Sequence, residues 1–209
     1  MNAAMRPPKG YSLSLLCFLL VLALAGCASP GGGANAGPRD DPARHYQLGQ
    51  SYVQNNRFDE AVEEYRMAAD AGCVQAQYAL GILYKLGHGV GQDNDQAAEW
   101  FRKAAAAGYA PAQYNLGCMY RDGLGVEKDD AQAAGWFRSA AEQGHAASQG
   151  MLAEMYATGR GVPKDPGQAE LWRRQIMNQG TRQDRNASGY RPEPGRPAPG
   201  APDPSGPQP

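Results

Sequence analysis

Apolar and small residues recur at matching places in three consecutive stretches of this chain, always 36 residues apart. Four series show the recurrence most clearly: Leu80/Leu116/Leu152, Tyr84/Tyr120/Tyr156, Val90/Val126/Val162 and Trp100/Trp136/Trp172. An unbroken register of this length indicates an array of structural repeats, in which each repeat is one supersecondary unit.

Each 36-residue stretch predicts two short amphipathic helices. Leu80, Gly81 and Tyr84 lie at helical spacing, and Ala97 and Trp100 begin a second series with the same spacing. We therefore expect a helical hairpin, in which small residues let the paired helices approach closely and the tryptophan fills space between neighbouring hairpins.

The residues between the two helices support this interpretation. Gly87 and Gly89 can end the first helix in a left-handed conformation, and Val90 can reach back into the core. Each second helix opens with an aspartate followed three residues later by glutamine, as in a capping box. These pairs are Asp93/Gln96, Asp129/Gln132 and Asp165/Gln168. We interpret the aspartates as helix caps.

An upstream unit, residues 41–73, departs from this length. Leu48, Gly49, Tyr52 and Tyr65 match the 34-residue spacing of a tetratricopeptide repeat. Its turn, residues 54–57, is four residues shorter and lacks the Gly-x-Gly-Val segment.

Residues 74–180 resemble three Sel1-like repeats, a relative of the tetratricopeptide repeat, at about 74–109, 110–145 and 146–180. Residues 41–73 resemble an ordinary tetratricopeptide repeat. The resemblance implies an all-α fold, a right-handed α-solenoid of helical hairpins flanked by disordered segments, and a role in binding proteins. The last unit departs from the pattern, with Arg173 where Phe101 and Phe137 stand, which suits the end of an array.

The first 26 residues predict a secretory signal peptide. Arg6 and Lys9 precede a short apolar run that ends in Leu24-Ala25-Gly26-Cys27. That ending resembles the bacterial lipobox, which implies that the Cys27 thiol receives lipid after cleavage before it. Ala28 differs from the aspartate associated with inner-membrane retention, so we expect a periplasm-facing outer-membrane lipoprotein. An uncleaved anchor helix is the alternative.

The two flanks of the array are poor in residues that can be buried. Residues 27–40 are rich in glycine and predict a flexible tether between lipid and domain. Residues 181–209 are rich in proline and glycine and predict a disordered tail. The tail is either simply solvated or presents an extended segment to a partner.

Composition and motifs argue against catalysis and against nucleic acid as a partner. The net charge is −1, and the three histidines, His45, His88 and His145, are far apart in the sequence. Gly87-x-Gly89-x-Gly91 follows a helix, whereas a dinucleotide loop follows a strand. We therefore expect no metal, no cofactor and no enzyme activity. Cys73 and Cys118 lie too far apart in the repeats to favour a disulfide between them.

The first helices of stacked hairpins line the concave side of such an array, where a partner can lie. Tyr46, Tyr78 and Tyr114 occupy matching places on three first helices. Lys85 follows Tyr78, and Arg121 follows Tyr114, by about two helical turns. We predict that these five residues bind a partner. Alternatively, the tyrosines pack against their neighbours.

The sequence therefore predicts an envelope scaffold or adaptor. The resemblance implies a role in the assembly of an envelope or polysaccharide-export complex. A cell-wall-directed hydrolase or glycan-binding protein is one alternative. A purely structural lipoprotein is another.

Overall fold

The computed structural model describes residues 41–187, with side chains described to residue 180. Within this range the chain forms eight α-helices: α1 Pro42–Gln54, α2 Phe58–Asp70, α3 Val74–Leu86, α4 Asn94–Ala106, α5 Ala110–Asp122, α6 Asp130–Glu142, α7 Ala146–Thr158 and α8 Pro166–Ala187. They pair as consecutive hairpins in a solenoid, which confirms the predicted fold class. We call the hairpins units one to four.

The predicted signal peptide, the tether and most of the tail lie outside the described residues. None of the helices in residues 41–187 is both long and apolar enough to cross a membrane.

The turns within units two to four form as predicted. Gly87 has φ 72° and ends α3, and its N–H donates to the Leu83 carbonyl at 2.8 Å. The N–H of His88 reaches the same carbonyl at 3.1 Å. Asp93 then caps α4 by accepting the Gln96 N–H at 3.0 Å.

Unit one turns differently because its turn is shorter. Asn56 takes the left-handed conformation there, with φ 58°, a backbone region that asparagine tolerates better than most residues. The N–H of Arg57 then donates to the Tyr52 carbonyl at 2.9 Å, which closes the turn.

A phenylalanine forms the centre of each internal unit. Phe101 and Phe137 are fully buried, and each ring lies against the glycine of the facing first helix, Gly81 or Gly117. Tyr65 fills the same place against Gly49 in unit one. The tryptophans lie nearer the surface between hairpins: Trp100 is 8% exposed, and Trp136 is only partly buried against the preceding cluster.

A glutamine joins each unit to the one before it. The Gln113 side chain is buried and donates from Nε2 to the Ala105 carbonyl at 3.2 Å. Gln77 and Gln149 make the matching bonds to the carbonyls of Ala69 and Ala141. Each bond satisfies a carbonyl near the end of a second helix, where helical carbonyls lose their own partners.

The second glycine of each turn also joins neighbouring units. Gly125 has φ 67°, and a β-carbon there would lie 2.0 Å from the Asn94 carbonyl oxygen, at the start of α4 in the preceding unit. Gly89 and Gly161 meet Phe58 and Asp130 in the same way. The turn therefore lies against the backbone of its neighbour, and no side chain fits between them.

The last helix is longer than the others and ends the array. It continues to Ala187, seven residues beyond the predicted boundary at 180, because Thr181–Ala187 carries arginine, glutamine and alanine, which favour helix. On α8, Glu170, Arg173 and Met177 stand at positions whose counterparts on α4 and α6 are buried. Met177 is 70% exposed, whereas its counterpart Ala141 is 1% exposed. The end face is thus largely polar.

Candidate partner-binding surface

The first helices of the four units are α1, α3, α5 and α7, and the first three of them carry all five residues that the sequence predicts for partner binding. Direct contacts join neighbouring first helices. The Asn115 amide on α5 donates to the Tyr78 hydroxyl on α3 at 3.5 Å, and Arg121 Nη1 lies 3.7 Å from the Met151 sulfur on α7. We call the face that these helices form the first-helix surface.

The predicted tyrosines lie on this surface with their rings turned into the core. The Tyr78 ring centroid is 5.8 Å from that of Phe101, and the Tyr114 centroid is 5.8 Å from that of Phe137. Tyr46 makes the matching contact with Tyr65 at 5.8 Å. Burial raises the pKa of all three predicted tyrosines. The rings are packing elements.

Sequence reasoning missed Tyr109, which lies at the junction of units two and three. Its ring lies edge-on to Tyr78 with centroids 5.2 Å apart, and it lies close enough to Tyr46 to contribute to the raised pKa of that residue. His145 occupies the matching place one unit later, and its ring lies 5.1 Å from that of Tyr114 between centroids, whereas Cys73 stands at the place before unit two.

The two predicted cations flank Cys118, which carries a free thiol. Burial raises the pKa of this thiol, while a hydrogen bond with Tyr114 and the charges of Arg121 and Lys85 act in the opposite direction. The structure therefore brings Tyr114, Lys85 and Arg121 together around one partly buried residue.

Arg121 is already paired within the chain. Its Nε and Nη2 donate to the two carboxylate oxygens of Asp122 at 2.8 and 2.7 Å, and this bidentate contact lowers the pKa of Asp122. On the neighbouring turn, Arg160 Nε donates to Asp130 Oδ2 at 2.9 Å and lowers the pKa of that carboxyl group.

A pocket of about 380 Å³ opens between these two arginines. Met151 and Met155 contribute apolar walls, and Thr158 and Glu154 contribute polar ones. Within residues 41–187, no group of three or more histidine, cysteine, aspartate or glutamate side chains is arranged to hold a metal ion.

The stacked hairpins and their continuous first-helix surface define a helical-repeat protein of the kind that binds other proteins. The Sel1 repeat family model matches residues 43–73, 74–109, 110–145 and 146–174, which together make up more than half of the chain. This chain belongs to the Sel1 repeat family. The match includes unit one, so residues 43–73 are a Sel1 repeat with a shortened turn rather than the ordinary tetratricopeptide repeat that their spacing predicts.

Two solved structures show the same architecture. One is the crystal structure of c5321, a protective antigen of uropathogenic Escherichia coli strains with an SLR fold: identity is 38%, the TM-score is 0.66, and the match covers 73% of this chain and 33% of c5321. The other is a Sel1 repeat protein from Oxalobacter formigenes: identity is 33%, the TM-score is 0.64, and the match covers 69% of this chain and 61% of the relative.

The match therefore spans about one third and three fifths, respectively, of these two relatives. A comparison with curated protein sequences gives no significant match.

Proposed function

We propose that this chain is a lipid-anchored adaptor of the bacterial cell envelope, held in the outer membrane facing the periplasm, which binds a protein partner on its first-helix surface. The observation that carries the proposal is the face formed by neighbouring first helices, which contact one another through Asn115–Tyr78 and Arg121–Met151 and which carry Lys85 and Arg121. Sel1 repeats typically mediate protein–protein interaction, and the family match supports that role here.

The membrane part of the proposal rests on the sequence before the array. The lipobox-like residues ending at Cys27 leave 14 residues before α1 begins near Pro42. A glycine-rich chain of that length has an end-to-end distance of roughly 20 Å. Unit one would then lie near the lipid surface, and the later units would extend toward the partner.

Lys85 is the best position from which to capture the partner. The Tyr78 ring packs on Phe101, so a photo-crosslinking residue there would disturb the core, whereas the Lys85 side chain lies at the surface. We expect a crosslinker at position 85 to capture one envelope protein in living cells. The matched control is the same residue at Glu99, which is exposed on the second helix α4.

Position 85 should capture the partner, and position 99 should not. Equal background at both positions, with the chain folded and lipidated, would favour a structural lipoprotein instead. Replacing Arg121 with alanine should reduce capture from position 85, because the guanidinium lies on the same face.

Lipidation has its own test. Cells fed an alkyne analogue of palmitate should label the natural chain but not Cys27→Ser, and the substituted chain should leave the membrane fraction. Labelling that persists without Cys27 would contradict the anchor while leaving the protein-binding proposal intact.

A further inference from the structure

One position on the first helices changes its chemistry along the array. Gln50, Ile82, Cys118 and Glu154 occupy matching places on α1, α3, α5 and α7. The next turn of each helix carries Val53, Lys85, Arg121 and Ala157. The second of these positions therefore carries a cation in units two and three, and the first carries an acid in unit four.

Two arginines near this face form ion pairs within the chain, whereas one lysine and one glutamate on it do not. Arg121 pairs with Asp122, and Arg160 pairs with Asp130. Among the described residues, Lys85 and Glu154 take part in no ion pair. The first-helix surface thus has an uncompensated positive charge at unit two and an uncompensated negative charge at unit four.

The pocket of about 380 Å³ lies between α5 and α7, on the unit-four side of Arg121. Most of its lining is polar, and Met155 is buried, so the partly exposed Met151 supplies its accessible apolar wall. Unbranched methionine side chains adapt to apolar groups of different shapes. Because Glu154 also lines the pocket, an apolar side chain seated there would lie beside the uncompensated acid.

The spacing between the two charges limits the partner. Neighbouring first helices contact each other through long side chains, so each step between them is at least the roughly 10 Å of directly packed helices, and two steps from α3 to α7 cover roughly 20 Å. An extended chain advances about 3.3 Å per residue, so about six residues cross that distance.

From this pattern, and resting on the proposed function, we propose that the partner binds through one extended segment with charges of opposite sign at its two ends. The acidic residue of the segment lies beside Lys85, and its basic residue, about six residues away, lies beside Glu154. An apolar side chain between them enters the pocket between α5 and α7 and contacts Met151. The two uncompensated charges set the direction of the segment, because the reverse orientation places like charges together.

Selection from a phage-displayed library of random peptides tests this proposal with the full chain in detergent. We expect enriched peptides to carry an acid and a base at the stated separation with an apolar residue between them. Lys85→Glu and Glu154→Lys should each weaken a selected peptide by about 1.5-fold to fivefold, the range for exposed ion pairs. A peptide with the opposing charge reversed should recover binding to the matching variant.

Lys103→Glu and Glu142→Lys are the matched controls, since both residues are exposed on second helices and change the net charge equally. Enriched peptides that depend on Arg121 but bind the Lys85 and Glu154 variants as well as the controls would overturn the charge order and leave the adaptor proposal standing. Selection of no peptide by the folded chain would count against both, and crosslinking from position 85 then decides the adaptor proposal alone.

Discussion

Gly117 on α5 lies directly against the ring of Phe137 on α6, and a β-carbon on Gly117 would come within 2.8 Å of the ring carbon Cε1. Gly81 and Phe101 repeat this relationship at 2.6 Å. In unit four both partners differ: Ala153 stands at the glycine position and the exposed Arg173 at the aromatic one. Glycine is therefore required only where a ring occupies the space.

Gly117→Ala should lower the free energy of unfolding by about 1–3 kcal/mol, because the added methyl group overpacks a full core. Urea unfolding followed by circular dichroism measures the change. Gly135→Ala is the matched control: it lies in α6 with nothing within 4 Å of its β-carbon position and should stabilise the chain by about 0.5–1 kcal/mol. Equal effects at the two positions would contradict the packing argument.

Gly125→Ala should destabilise the chain more than Gly108→Ala. Both glycines have positive φ, so both alanines incur the left-handed penalty of about 1–2 kcal/mol. Only Gly125 has a neighbouring backbone in the way, the Asn94 carbonyl of the preceding unit. Thermal or urea unfolding of the two variants compares them, and a similar loss in both would show that the turn adjusts easily.

His145 should make the fold less stable in mild acid. Burial lowers the pKa of His145 below its ordinary value of 6.5, and its ring accepts the Ser148 N–H at 3.3 Å as the cap of α7. The unfolded chain therefore takes up the proton first as the pH falls. The stabilisation is complete above about pH 6.5 and is lost as the pH falls through the folded pKa.

The free energy of unfolding measured between pH 5 and pH 8 tests this expectation against His145→Asn. Asparagine is also a preferred helix cap but does not titrate. The natural chain should lose more stability toward pH 5 than the variant does. Parallel curves would show that protonation of His145 is not what destabilises the fold in acid.

The polar end face of α8 should keep the array monomeric at that end. Restoring the internal pattern with Glu170→Ala, Arg173→Phe and Met177→Ala, together with Ala153→Gly to admit the ring, would create an apolar face. We expect this variant to self-associate, because an unburied repeat face is an association site. Sedimentation equilibrium at increasing concentration would show it, and a monomeric variant would contradict the end-cap interpretation.

The sequence predicts the repeat boundaries, the helix pairs and the aspartate caps because these depend on short-range spacing. Asp129 caps α6 through N–H groups two and three residues away, so its role is visible in the local pattern. The close approach of paired helices at small residues such as Gly117 follows from the same register, but the ring that faces this glycine, and that is fully buried, is Phe137 rather than Trp136.

Features that join one unit to another are harder to predict. The Gly125–Asn94 approach depends on how two hairpins stack, and the tyrosine rings turn inward because Phe101 and Phe137 lie beneath them. Tyr109 is matched by the ring of His145 but by Cys73 in the other direction, so the type of residue varies and periodicity alone does not point to this contact. The extension of α8 past residue 180 results from helix-favouring residues in a short segment without proline or glycine, and the composition of the longer tail that follows hides this signal.

Each turn glycine that lies against the preceding unit is encoded within the same 36-residue segment as its own hairpin. Gly89, Gly125 and Gly161 meet the same backbone position in the preceding hairpin. Each of units two to four therefore contains the glycine that forms its contact with the unit before it. Gene duplication of one such segment would therefore lengthen the array without a new interface, and deletion would shorten it as cleanly. The length of the array can evolve separately from its two ends.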